Sequence, residues 1–257
     1  MPKKLPSILS TERTKNIAVK LGFKNEPEIN SSIFHFVFPE DKLYTFDIDP
    51  TTFNFKLKYN YTENPEAVSV EGNLQQENAL NEVKNFLQSN NLFDGSILSQ
   101  NIIEPLKYIP ETKSFTKATS ISNTTAVKIN FFRNEIDGLK LVPPGFTQSY
   151  NYALYTRGKV NSGIVEVSYI FSPIAYDDFG TYPLKTAEIA WQDLLDGYAF
   201  VMNLGNNSKD RIVIRNISLA YYDSDEPQEY LQPIFIFEGD NDFVAYLPAI
   251  TGEYLLE

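Results

Sequence analysis

The chain has 257 residues, with 22 Lys+Arg against 33 Asp+Glu for a formal net charge of −11, no cysteine, and one histidine, His35. Those counts exclude cysteine nucleophiles, disulfide frameworks, iron–sulfur clusters and thiolate zinc sites, and a lone histidine excludes an HExxH metalloprotease or a three-histidine zinc centre within one chain. The acidic balance, with a pI near 4.7, argues against a general nucleic-acid binder, whose phosphate contacts need clustered Lys and Arg.

One Trp, 16 Tyr and 19 Phe make 14 % of the chain aromatic, which predicts a folded, β-rich protein. The opening Met1-Pro2-Lys3-Lys4-Leu5-Pro6 has no apolar run behind its charges long enough for a signal peptide. No stretch approaches the roughly 18 apolar residues that cross a bilayer. Residues 10–21 carry Ile17, Ala18 and Leu21 at helical spacing, with Ser10 or Thr11 as the cap and Gly22 where a terminating glycine belongs. Three strand-like runs follow at residues 33–38, 43–48 and 53–61, separated by the turn signals Pro39-Glu40-Asp41 and Asp49-Pro50-Thr51-Thr52. Residues 75–87 switch to the helical period, with Ala79, Leu80, Val83, Phe86 and Leu87 in one stripe over Gln76, Glu77, Glu82 and Lys84. Residues 90–123, with Glu104-Pro105 and Ile109-Pro110, are weakly periodic and read as a connection with a domain boundary near residue 120.

Strand patterns return at residues 126–132, 150–155 and 164–171, the last placing Val165, Val167, Tyr169 and Phe171 on one face and Glu166 and Ser168 on the other. Thr186 caps a helix over residues 187–195, whose Ala190, Trp191, Leu194 and Leu195 point one way before Asp196-Gly197. Three more strands are predicted at residues 212–222, 230–237 and 243–247, the last two joined by the hairpin loop Glu238-Gly239-Asp240-Asn241-Asp242. The expected fold class is α+β: two tandem modules, residues 1–120 and 121–257, each an antiparallel sheet with an amphipathic helix packed on one face.

Three segments carry a family likeness: the helix Ala190-Trp191-Gln192-Asp193-Leu194-Leu195-Asp196-Gly197, the strand Ile214-Arg215-Asn216-Ile217-Ser218-Leu219-Ala220-Tyr221-Tyr222, and the strand Tyr230-Leu231-Gln232-Pro233-Ile234-Phe235-Ile236-Phe237-Glu238-Gly239. Together they resemble the final repeat of YycI-like regulatory proteins and the related PepSY-like ectodomains. The upstream Phe131-Phe132-Arg133-Asn134-Glu135-Ile136-Asp137-Gly138-Leu139 is similar to another element of those proteins, with Lys140 where proline is usual. The resemblance spans residues 125–250. It implies cystatin-like α+β modules that are extracytoplasmic, anchored by one N-terminal segment and active by binding other proteins. It carries over no catalytic residue. The first half matches only in the order of its elements.

Candidate sites each have a plain structural reading beside the functional one. His35, between Ile33 and Val37 on its strand, is a possible general base, but a strand histidine with a satisfied partner is the expected role. The acidic pairs Asp47/Asp49 and Asp177/Asp178, and the loops bearing Asp223, Asp225, Asp240 and Asp242, match no EF-hand spacing and fall where turns are expected. The last four are the weak calcium candidates, and a facing pair among these acids would suit glycoside hydrolysis. Tyr150, Tyr152, Tyr155, Tyr176, Tyr182, Tyr221 and Tyr222 lie next to polar or loop residues and are the expected partner or ligand contacts. Trp191 is expected to anchor its helix, and Val142-Pro143-Pro144-Gly145 to form a stiff turn. With no GxxxxGK[ST] and no GxGxxG, no nucleotide cofactor is expected, nor any other.

The leading expectation is a non-enzymatic extracytoplasmic regulatory module binding a protein at a bacterial cell surface, such as a sensor kinase or a peptidase. The terminal Leu256-Glu257 pair looks like a cloning remnant, and the expected setting is an ectodomain whose membrane anchor lies upstream of Pro2. A surface lipoprotein holding glycans on exposed aromatics is the alternative, and an acid-pair hydrolase the third. Five Asn-x-Ser/Thr sequons, at Asn30, Asn60, Asn123, Asn206 and Asn216, are expected by chance in a chain with 23 asparagines.

Overall fold

A computed structural model describes residues 7–252 apart from residues 71, 73, 94, 96, 98, 159, 209 and 210. The basic start Met1-Pro2-Lys3-Lys4-Leu5-Pro6 and the Leu256-Glu257 pair lie outside the described residues. The chain forms two compact units, Met1–Phe131 with Tyr150–Ser172, and Phe132–Ser149 with Pro173–Glu257.

The first unit opens with α1 (Ile8–Lys20), where the Ser7 side chain accepts the Ser10 N–H at 3.1 Å and leaves one fewer orphan donor at the helix start. Gly22, at φ +95°, turns the chain out of the helix, and a Cβ there would sit 2.7 Å from the Phe38 ring. Strands β1 (Glu28–Asn30), β2 (Ile33–Val37), β3 (Tyr44–Ile48) and β4 (Phe55–Tyr59) form an antiparallel meander. Helix α2 (Gln76–Ser89) comes next, then β5 (Gln100–Ile109), β6 (Ser114–Lys117) and β7 (Ala126–Phe132). Strand β8 (Lys140–Val142) joins the second unit, and β9 (Tyr152–Thr156) and β10 (Ile164–Tyr169) return to the first. The resulting nine-stranded sheet has the order β1-β2-β3-β4-β10-β9-β7-β5-β6.

Two facts about this sheet follow from period-two alternation. Across β2, β3, β4 and β10, Phe36 pairs with Phe46, Phe46 with Leu57, and Leu57 with Val167, all buried. Helices α1 and α2 add Ala18, Ala79, Val83 and Leu87 to the same core. Aromatic rings thread it, with centroids 5.7 Å apart for Phe23–Phe46, 5.6 Å for Phe46–Phe55, 5.4 Å for Phe55–Tyr169 and 4.7 Å for Tyr169–Phe93. The opposite face carries a polar cross-strand row, His35–Asp47–Lys56–Ser168–Tyr152–Asn130. The sheet is built from two halves, α1 with β1 to β4 and α2 with β5, β6, β7, β9 and β10, whose last strands β4 and β10 pair antiparallel at its middle.

The segment expected to be a connection, residues 90–123, holds β5 and β6. Its strand signal is diluted because β5 buries only Leu106 and Tyr108 and contains Pro105, which has no N–H to give a ladder. Pro105 still contributes its carbonyl, which accepts from the Ala118 N–H at 2.9 Å.

The second unit contains α3 (Ala187–Leu195), capped by Thr186, whose hydroxyl accepts the Ile189 N–H at 3.3 Å. Strands β11 (Phe200–Asn203), β12 (Ile214–Tyr222), β13 (Gln232–Gly239) and β14 (Val244–Pro248) form with β8 a five-stranded sheet ordered β11-β14-β13-β12-β8. All pairs are antiparallel except β8 with β12. One face buries Phe237, Ala245 and Leu247 with Ala190 of α3. The other buries Val142, Ala220, Ile234, Ile236 and Tyr246, with Phe146 packed against them. The Val142-Pro143-Pro144-Gly145 segment forms a turn on that side, closed by a Phe146 N–H donating to the Pro143 carbonyl at 3.0 Å. The Tyr246 hydroxyl donates to the same carbonyl at 2.9 Å.

The fold is therefore α+β, with two antiparallel-rich sheets and helices packed against them. The division of the chain differs from a single cut at residue 120, because β7, β9 and β10 hydrogen-bond into the first sheet. Strand partnership across such sequence separations is set by which faces bury together, and a local composition shift does not report it.

Candidate functional site

The predicted tyrosines are scattered over both units. Tyr152, on the polar face of the first sheet, donates its hydroxyl to Glu166 Oε1 at 2.5 Å, and Lys56 Nζ meets the same oxygen at 2.9 Å. The Lys128 ammonium sits 4.5 Å from the Tyr152 ring centroid. Burial, with Glu166 as hydrogen-bond partner and nearby charge, holds the Tyr152 hydroxyl well above the usual phenol range. Desolvation lowers the Lys128 ammonium from its ordinary value, against the pull of Glu104 and Glu166. Tyr152→Phe is expected to cost about 1.5–3 kcal/mol, the worth of a hydrogen bond to a charged group, read as a lower urea midpoint with unchanged slope. Tyr155 lies on the opposite face of the same strand, beside α2. Tyr150, at the start of the second passage through this unit, is partly buried.

The others belong to the second unit. Tyr221 and Tyr222 are partly buried on opposite faces of β12, while Tyr176 and Tyr182 are exposed in the segment before α3. They do not form one site.

Four of the acidic candidates, Asp47, Asp49, Asp223 and Asp240, are occupied by local structure, and Asp177 and Asp178 are exposed. Asp49 Oδ1 accepts the Thr51 N–H at 2.7 Å, an Asx turn. Asp47 Oδ1 meets His35 Nδ1 at 2.6 Å, the cross-strand partner expected of a strand histidine. Asp223 is buried against Arg133, with Nε to Oδ2 at 3.2 Å. Asp240 takes a fork from Arg215, Nε to Oδ1 and Nη2 to Oδ2 both at 2.7 Å. Asp225 and Asp242 are exposed. Among the described residues, no group of three or more His, Cys, Asp or Glu is placed to hold a metal ion. The Arg215 guanidinium holds the Asp240 carboxyl below its ordinary range. The pair therefore contributes above the unfolded carboxylate pKa and is lost as pH falls through the lowered one. In Arg215→Ala, an NMR titration of the Asp240 carboxyl is expected to return to the ordinary aspartate value.

What sequence reasoning missed is a surface on the second unit. On the α3 side of its sheet, Val201 pairs with Ala245, Ala245 with Phe237 and Phe237 with Ile217. At about 4.8 Å per strand this row is about 14 Å wide. Its centre lies under α3, with the Trp191 ring 6.5 Å from that of Phe237, and both of its ends are exposed. Ala190 and Leu194 seat the helix on the sheet, while Trp191, expected as its anchor, remains 41 % exposed. Leu195 is 63 % exposed, Tyr198, ahead of β11, is 68 % exposed, and Val201, at one end of the row, is 53 % exposed, while Phe200 pairs with Tyr246 on the other face. Two strand edges adjoin these residues. Strand β11 is the last strand of its sheet, and β12 is paired by β8 only at Ala220, Tyr221 and Tyr222. The family-like segments of the sequence fall on α3, β12 and β13, which pack together here. The signal for this surface was the run of apolar residues at positions 198–202 after the helix, which composition alone assigns to a core.

No protein-family model and no curated protein matches the sequence. Among solved structures, the chain is similar to the Bacillus megaterium YpeB C-terminal domain, at a TM-score of 0.37 and 9 % identity over 97 % of this chain and 95 % of that one.

Proposed function

We propose that this chain is a non-enzymatic interaction module, the extracytoplasmic part of a membrane-anchored bacterial protein with a regulatory role, and that it binds a protein partner through the α3 side of its second unit. The observation that carries the reading is the exposed apolar set Trp191, Leu195, Tyr198, Val201 and Ile217 beside two incompletely paired strand edges. Scattered apolar residues on a surface are ordinary, but several on a helix and on the sheet rims flanking it, next to open strand edges, are a usual form of protein docking surface. The YycI-like and PepSY-like pattern in α3, β12 and β13 supports the same role. The acids, each tied to a turn, an ion pair or an exposed loop tip, lend no support to a hydrolase.

The test places a photo-crosslinking amino acid at Tyr198 or Ile217, with a control at Lys42, in the native cell envelope. A discrete crosslinked protein at the first two positions, lost on Trp191→Asp, is the expected result. Equal labelling at all three positions, or none, overturns partner binding by this surface. An upstream gene sequence with no apolar segment overturns the anchor.

A further inference from the structure

A second feature of the molecule lies wholly within the first unit and is independent of the surface just described. Along the first turns of α2, Asn78, Asn81 and Glu82 face Tyr155 and Arg157, which end β9, across a cleft of about 390 Å3. The cleft is open, with Gln75, Asn78, Asn81, Glu82 and Arg157 exposed along it, so a ligand here would keep part of its surface in water. The ring of Tyr155 is held from behind. Gly163, at φ +69°, lies so close that a Cβ there would stand 2.5 Å from the ring, so the tyrosine is positioned before any ligand arrives. Beneath the helix, Ala79 is fully buried, which fixes the turn that presents Asn78, Asn81 and Glu82.

The lining decides the ligand class. Of the eight residues around the cleft, Gln75, Asn78 and Asn81 bring carboxamides, Glu82 a carboxylate and Arg157 a guanidinium. Carboxamides offer a donor and an acceptor side by side, and guanidinium and carboxylate add planar paired groups, a set that matches vicinal hydroxyls and amide substituents. The partly buried Tyr155 ring supplies one apolar surface for the C–H face of a sugar. Opposite charges on Glu82 and Arg157, with Glu77 also in the first helical turn, work against an anion at this helix end. An aliphatic ligand would leave the amides and charges unpaired on burial. Burial and the nearby Glu82 raise the Tyr155 hydroxyl, against the opposing effect of Arg157, so it stays protonated as a donor.

We infer that the cleft between α2 and β9 binds a short uncharged saccharide, with Tyr155 as the stacking platform and Asn78, Asn81, Glu82 and Arg157 as hydrogen-bonding walls. The probe is chitotriose, titrated into the whole chain and followed by the side-chain amide NMR signals of Asn78 and Asn81, with maltotriose and inorganic phosphate in parallel. A saturable shift with a neutral sugar is expected. Tyr155→Ala and Asn81→Ala should each weaken it about tenfold, and Tyr155→Phe, which keeps the ring, should weaken it less. Trp191→Ala, which removes the proposed protein-docking residue, should leave sugar binding unchanged, so the two proposals fail separately. If Tyr155→Ala loses its fold by circular dichroism, Asn81→Ala, on the exposed side of α2, carries the comparison. No shift with either sugar at about 10 mM, or a shift with phosphate alone, overturns the inference.

Discussion

Phe46→Ala is expected to destabilise the first unit by about 3–5 kcal/mol, the usual cost of emptying a fully buried aromatic site. Phe46 is 0 % exposed and sits at the centre of β3, where its ring meets those of Phe23, Phe36 and Phe55 at 5.7, 6.1 and 5.6 Å. Those neighbours come from three separate elements, the chain after α1, β2 and β4, so the cavity cannot close by moving one side chain. Aromatic pairs at these separations add to the loss beyond the buried area. The measurement is urea denaturation followed by far-ultraviolet circular dichroism, comparing midpoints at equal slope. A loss below about 1 kcal/mol would mean that the site collapses freely, and the ring-threaded core would not be the frame that holds Tyr152 and Tyr155 on opposite faces of β9. Phe46→Leu, which keeps most of the volume, is expected to lose much less.

Strands with only one face buried were legible by their alternation, and β7 and β14, buried on both faces, by their largely apolar runs. Strand β4 alternates strictly, with Phe55, Leu57 and Tyr59 buried and Lys56 and Lys58 exposed, and β2 and β3 behave alike. Helix α2 was legible for the matching reason, because its buried Ala79, Val83 and Leu87 recur at helical spacing. Strand β5 was not, because it lies near the edge of its sheet, is partly exposed on both sides and carries Pro105. The candidate tyrosines were found by their polar neighbours, which is a statement about local sequence. Whether a tyrosine then meets Glu166, as Tyr152 does, or a helix, as Tyr155 does, depends on which strand pairs beside it. Val201 and Ile217 were hidden for the converse reason. An apolar residue in a strand reads the same whether or not another element covers it, and here the edges of the second sheet leave them open.

Asp223→Ala should be the most damaging single change in the second unit. The carboxylate lies at the end of β12, 3.2 Å from Arg133 Nε, with the two side chains only 10 % and 6 % exposed. Its backbone N–H donates to the Val142 carbonyl at 2.9 Å, so the residue also ends the parallel pairing of β8 with β12. Removing one member of a buried ion pair leaves the other charge without its counterpart in a poorly solvated place, at a cost of about 3–5 kcal/mol. Replacing both members by apolar residues of similar size lifts that penalty, so Arg133→Met with Asp223→Leu is expected to recover most of the loss. The same series separates the ion pair from the calcium role for which Asp223 and Asp225 were weak candidates. If the carboxylate serves Arg133, millimolar calcium leaves the wild-type melting temperature unchanged and the double variant stays folded. If it serves a cation, calcium raises the wild-type melting temperature, chelator lowers it, and the double variant is as unstable as the single one. The second outcome would also undercut the proposed function, because β12, whose open edge adjoins the docking surface, would then be ordered by a metal and not by the chain itself.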